Sequence, residues 1–118
     1  MPNLQMKRIY EPADPSDGFR VLVDRLWPRG VSKETAKIDL WAKDITPSTE
    51  LREEYHSGAC SWDAFATKYR NELLTTPALD TFCNTIRDKE TVTLLFAAKD
   101  TVHTHVKILL AVLENKLQ

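Results

Sequence analysis

At 118 residues and 13.5 kDa the chain has the size of one domain. With 42% hydrophobic and 28% charged residues, and only 3 Gly and 6 Pro, it is neither disordered nor fibrous, and it is long enough to bury a core without disulfide or metal staples. Its 16 basic against 17 acidic residues leave a net charge of -1, which excludes a global field drawing it to nucleic acid or anionic lipid.

No apolar run approaches the roughly 18 residues that span a bilayer, so no membrane partner is expected. The start, MPNLQMKRIYEPAD, has no apolar signal core, and Cys60 and Cys83 sit in no CxxC or zinc spacing. A cytoplasmic protein with reduced thiols is the expectation. No internal repeat or linker divides residues 1–118, which read as a single domain.

In chain order, Gln5 to Tyr10 form a short extended run, and EPADPSDG is a loop built from turn formers. Phe19 to Leu26 carry apolar residues on both faces, which predicts an interior strand. WPRG ends it, since Pro28 and Gly30 turn the chain, and SKETAK predicts a short helix begun by Ser32. Ile38 to Pro47 read as irregular or briefly extended. Three helices follow. TELREEYH is capped by Ser48 or Thr49 and closed by Gly58. Ser61 caps the second, with Trp62, Phe65, Ala66, Tyr69 and Leu73 on one stripe. Thr76-Pro77 opens the third, with Leu79, Phe82, Cys83 and Ile86 repeating the spacing. Thr91 to Ala98 predict a strand covered on both faces, and Val106, Leu109, Leu110, Leu113 and Leu117 a C-terminal amphipathic helix. The order of elements predicts an α/β fold, with a small, mostly parallel sheet covered by helices. Val21, Val23, Leu94 and Phe96 are expected in adjacent strands.

Open α/β sheets bind ligands at the carboxyl ends of their strands. Two such ends carry chemistry: Asp24-Arg25-Leu26-Trp27-Pro28-Arg29-Gly30, and Lys99-Asp100-Thr101 before the last helix. If the strands are neighbours, Arg25, Arg29 and Lys99 gather near a helix N-terminus, in outline an anion site, and Trp27 offers a stacking face. Asp24, Asp100 and His105 are the candidate acid–base residues. Convergence of the cations would also lower the pKa of His105. A structural reading stands beside this one: Asp24 pairs with Arg25 or Arg29, Asp100 caps the last helix, Trp27 fills core space and Lys43 with Asp44 is a solvated pair. His103 and His105 are two residues apart and point to different sides of a helix, so no shared metal is expected. No phosphate loop, dinucleotide loop or GxSxG elbow occurs, and no cofactor is expected.

The strings KRIYEPADPSDGFRVLVDRLWPRGVSKE, IDLWAKDITPSTELREEY, WDAFATKYRNEL and TLLFAAKD resemble the YeaO-like branch of the domain-of-unknown-function family 488 over nearly the whole chain. RVLVDRLWPRG is the most specific of them. After AAKD the family's pattern often runs to an Asn-His pair, where this chain has Thr104 and His105, a departure that weakens any role needing the amide. The resemblance implies a small bacterial α/β protein with no agreed activity. It falls on Arg25, Trp27, Pro28, Arg29, Gly30, Lys99, Asp100 and His105, with Asp44, Pro47 and Ser48. Two functions are then in contention, with a purely structural role as a third: binding, with or without turnover, of an anionic phosphate- or nucleotide-like small molecule, or a regulatory nucleic-acid contact through the Arg and Trp27 loop. The mixed charge of the helices disfavours the nucleic acid.

Overall fold

A computed structural model describes all 118 residues. Four strands form one all-parallel sheet in the order β1-β4-β2-β3, with β1 at Asn3–Arg8, β2 at Phe19–Leu22, β3 at Leu40–Trp41 and β4 at Thr91–Phe96. The helices are α1 (Lys33–Ala36), α2 (Thr49–His56), α3 (Trp62–Thr75), α4 (Pro77–Ile86) and α5 (His105–Leu117). Their starts follow local chemistry. Ser32, Ser48, Ser61, Thr76 and Thr104 each accept a backbone N–H of the first turn through the side-chain hydroxyl. Gly58, at φ 83°, closes α2 in the left-handed region that glycine adopts without strain.

The sheet is the α/β core that the sequence predicts. Val21 pairs with Leu94 and Leu22 with Leu95, so one face of the two central strands presents Val21, Val92, Leu94 and Phe96. Against it lie Phe65, Tyr69 and Leu73 of α3, Phe82 and Ile86 of α4, and Leu109 and Leu113 of α5. In α5, Ile108 and Val112 take core places while Leu110 is half-buried. The opposite face is thinner: Leu22, Leu95, Ile9 and Ala36, with Trp27 and Trp41 packed on them.

A buried charge network ties β1 to β2. The Asp17 carboxylate accepts from Lys7 Nζ at 3.1 Å, from Arg20 Nη1 and from the Asp14 N–H at 3.0 Å. Arg20 spends its other donors on the carbonyls of Ala36 and Lys37, closing the end of α1. Gly18 permits this corner, because at φ 64° a Cβ would meet the Thr91 carbonyl oxygen at 2.4 Å.

Three boundaries depart from expectation, the smallest being β4, which ends at Phe96 rather than Ala98. β1 begins at Asn3 and ends at Arg8 rather than running from Gln5 to Tyr10. More consequentially, β2 stops at Leu22 instead of reaching Leu26. The Val23 N–H still donates to Leu95, at 3.0 Å, which leaves Val23 one step beyond the strand. In a parallel ladder the following rung would join the Ala97 N–H to the Val23 carbonyl. Both halves of that rung are taken by side chains instead: Ala97 N–H donates to Asp24 Oδ2 at 2.8 Å, and Val23 O accepts from His105 Nε2 at 2.6 Å. The central strands part at this point.

Candidate functional site

The parting opens a cleft of about 380 Å³ at the carboxyl ends of β2 and β4. One wall is the chain after β2, with Asp24, Arg25, Trp27 and Arg29, and the other comes from α2, α3 and the loop leading into α5. Arg52, Tyr55 and His56 arrive together because positions 52, 55 and 56 share one face of α2. Trp62 and Phe65 do the same on α3.

The cleft carries three arginines without ion-pair partners and three histidines. Arg25, Arg29 and Arg52 all line it, together with His56, His103 and His105, and none of the three arginines takes part in an ion pair. Arg25 is positioned by donating Nε–H to the Pro47 carbonyl at 3.2 Å, leaving its terminal nitrogens without a protein acceptor. Arg29 follows Pro28, whose fixed φ holds the turn, and its carbonyl accepts from the Tyr10 hydroxyl at 3.0 Å. The only acidic side chain on the wall is Asp24.

Asp24 and His105 form a close pair, with Nε2 3.7 Å from Oδ1. Burial pushes the Asp24 carboxyl above its ordinary range, against the opposing pull of His105, the Ala97 N–H and Arg52. Burial likewise pushes the His105 imidazole below its ordinary value, partly opposed by the Val23 carbonyl and Asp24, with Arg52 pushing the same way as burial. The expected direction for His105 therefore holds, while its main cause is loss of water. Because a carbonyl oxygen only accepts, the neutral ring must carry its proton on Nε2, and Nδ1 keeps its lone pair. Nδ1 has no protein donor, and no buried side-chain nitrogen or oxygen in the structure lacks a partner, so Nδ1 is open to water in the cleft.

Of the residues singled out from sequence, Asp24, Arg25, Trp27, Arg29 and His105 share this cleft. Lys99 and Asp100 lie outside its lining and are exposed. Asp100 orders the loop before α5 by accepting from the N–H groups of Val102 and His103, at 2.9 and 3.0 Å, and these bonds hold its carboxyl below the ordinary range. Thr104 is the residue that caps α5. Trp27 serves two roles, donating to the Val31 carbonyl at 2.6 Å and packing edge-on to Trp41 while still facing the cleft. Pro47 lines the cleft; Ser48 instead caps α2 and bonds Glu72, and Asp44 is exposed. Lys43, also exposed, lies over the Trp41 ring at 3.8 Å. Arg52 is the functional candidate that sequence reasoning missed. No group of three or more His, Cys, Asp or Glu side chains is placed to hold a metal, and no helix is long and apolar enough to cross a membrane.

Residues 3–118 match the family model described as the inactive DUF488-N3 subclade. The chain belongs to that subclade. Among curated relatives of this DUF488-N3 chain, the Uncharacterized protein YeaO of Escherichia coli (strain K12) is 44% identical over 107 residues, 91% of this chain and 93% of that one. The Uncharacterized protein Rv3073c of Mycobacterium tuberculosis (strain ATCC 25618 / H37Rv) is 37% identical over 113 residues, 96% of this chain and 95% of its own. No solved structure matches the DUF488-N3 chain.

Proposed function

We propose that the cleft binds a small phosphate- or nucleotide-like anion, gripped by Arg25, Arg29 and Arg52. The observation that carries this reading is the set of three cleft-lining arginines without a carboxylate partner. Unpaired guanidinium groups offer forked donors that match oxyanions, and here Asp24 is the one carboxylate on the cleft wall, felt by Arg52 but within ion-pair distance of none of the three. The first turn of α5, which also borders the cleft at Thr104 and His105, adds the positive end of a 13-residue helix. The family's description as inactive favours binding over turnover. Any acid–base step would rest on the Asp24–His105 pair, with Nδ1 as the base.

Sulfate or phosphate should then raise the melting temperature beyond a chloride control of equal ionic strength. At ten times Kd the gain is about 1.4 kcal/mol, on the order of 6 °C for a domain of this size. Arg29→Ala, at an exposed position, should remove the anion's effect with little change in the anion-free melting temperature. The reading fails if the oxyanions do no more than chloride, or if their effect survives in Arg29→Ala, Arg25→Ala and Arg52→Ala alike.

A further inference from the structure

A cluster of four aromatic rings also lines the cleft. Trp62 lies nearly parallel to Phe65, with ring centres 5.3 Å apart and planes at 23°, and nearly parallel to His103, at 5.0 Å and 24°. Tyr55 closes the group, 4.9 Å from Phe65 and 5.6 Å from Trp62. All four rings line the cleft, yet only Phe65 is buried; Tyr55 and Trp62 are half-buried and His103 is exposed. The Tyr55 hydroxyl, like Nδ1 of His105, has no protein partner and is open to water. The cleft thus combines arginines on both walls, a partly wet aromatic cluster, and a lone pair on His105 Nδ1 that has no protein donor. A bare oxyanion satisfies only the first of these.

We propose that the ligand is a nucleoside monophosphate, its phosphate on Arg25, Arg29 and Arg52, its base packed against the aromatic cluster of Tyr55, Trp62 and His103, and an O–H or N–H of the nucleoside donated to Nδ1 of His105. This rests on the oxyanion reading above and adds the ring and the donor to it. The size agrees: about 380 Å³ is near the lower end for small-molecule pockets, the scale of a mononucleotide rather than a dinucleotide. Aromatic side chains beside cations are a usual means of holding a base without reading its identity, so purine and pyrimidine monophosphates should both bind.

Isothermal titration of the full chain with inorganic phosphate, ribose 5-phosphate, adenosine, AMP and UMP tests this. AMP and UMP should each bind on the order of 10-fold more tightly than ribose 5-phosphate, the difference that stacking supplies. Trp62→Ala should bring AMP down to the ribose 5-phosphate level while leaving inorganic phosphate unchanged. Tyr55→Leu, which replaces one half-buried ring by another apolar side chain, should weaken AMP severalfold if Trp62→Ala does not fold. If phosphate and ribose 5-phosphate bind but the nucleotides bind no more tightly, or if both variants leave AMP unaffected, the nucleotide proposal is wrong and the oxyanion reading survives. If none of the phosphorylated probes binds, both are wrong.

Discussion

Asp17 is the most exacting test of what holds the sheet together. Its side chain is 6% exposed, as is that of Arg20, and its carboxylate serves three donors. Asp17→Asn keeps the shape but leaves the Arg20 and Lys7 charges without their counter-ion inside the fold. Removing one member of a buried pair costs about 3–5 kcal/mol, and because Arg20 retains the Ala36 and Lys37 carbonyls the lower figure applies. For a domain of this length that lowers the melting temperature by on the order of 12 °C. Urea titration should show a shifted midpoint with an unchanged slope. The pH dependence is a second signature. Burial alone would raise the Asp17 carboxyl, but the Asp14 N–H, Lys7 and Arg20 outweigh it and hold the carboxyl below its ordinary value. A depressed folded-state pKa contributes stability in full above the unfolded value of about 3.9, and loses it as the pH falls from there through the folded value. The wild type should therefore lose stability across that acid window more steeply than Asp17→Asn. A loss under about 1 kcal/mol with an unchanged acid limb would mean that water reaches the network, and the argument from burial would be refuted.

Three further outcomes follow from the contacts described. Tyr69→Phe, whose hydroxyl is buried and donates to the Ile45 carbonyl at 2.6 Å, should cost about 1–3 kcal/mol by chemical denaturation, since that carbonyl is left without its donor. Val23→Ala should cost a similar 1–3 kcal/mol through lost core volume, with sulfate-induced stabilisation retained because only its backbone reaches the cleft pair. An NMR titration of His105 should give a midpoint below the ordinary 6.5 and an Nε2–H tautomer at neutral pH; Asp24→Asn should lower it further by removing an opposing pull, whereas Lys99→Ala, outside the lining, should leave it unchanged.

The two central strands and all five helices are readable along the chain because their signals are local. TVTLLFAA is apolar on both faces, and α3, α4 and α5 repeat apolar residues at helical spacing behind serine or threonine caps. The end of β2 is not readable in this way. VDRL continues the apolar run, and the ladder is cut where Asp24 takes the Ala97 N–H and an imidazole 82 residues beyond Val23 takes its carbonyl. Lys99 appears equivalent to Arg25 as a cation at a strand end, but Asp100 folds the following loop and Lys99 stays exposed outside the cleft. Arg52 sits among glutamates in TELREEYH, the pattern of a solvated helix face. Its one sequence signal is the stripe it shares with Tyr55 and His56, which becomes meaningful only once α2 is known to border the cleft.

The interrupted rung between Val23 and Ala97 makes the mouth of the cleft a competition between backbone and side chain. The amide and carbonyl that Asp24 and His105 occupy are each other's natural partners, so those two side chains act as a wedge that keeps a zipper from closing by one more tooth. Taking out either one leaves a single orphan on the backbone; taking out both frees a matched set. The strands of Asp24→Ala/His105→Ala are thus free to knit together where the wild type holds them apart, and the double variant should be less destabilised than the sum of the single ones while its cleft narrows. The fold has placed the Asp24–His105 pair where it also decides how far the sheet extends.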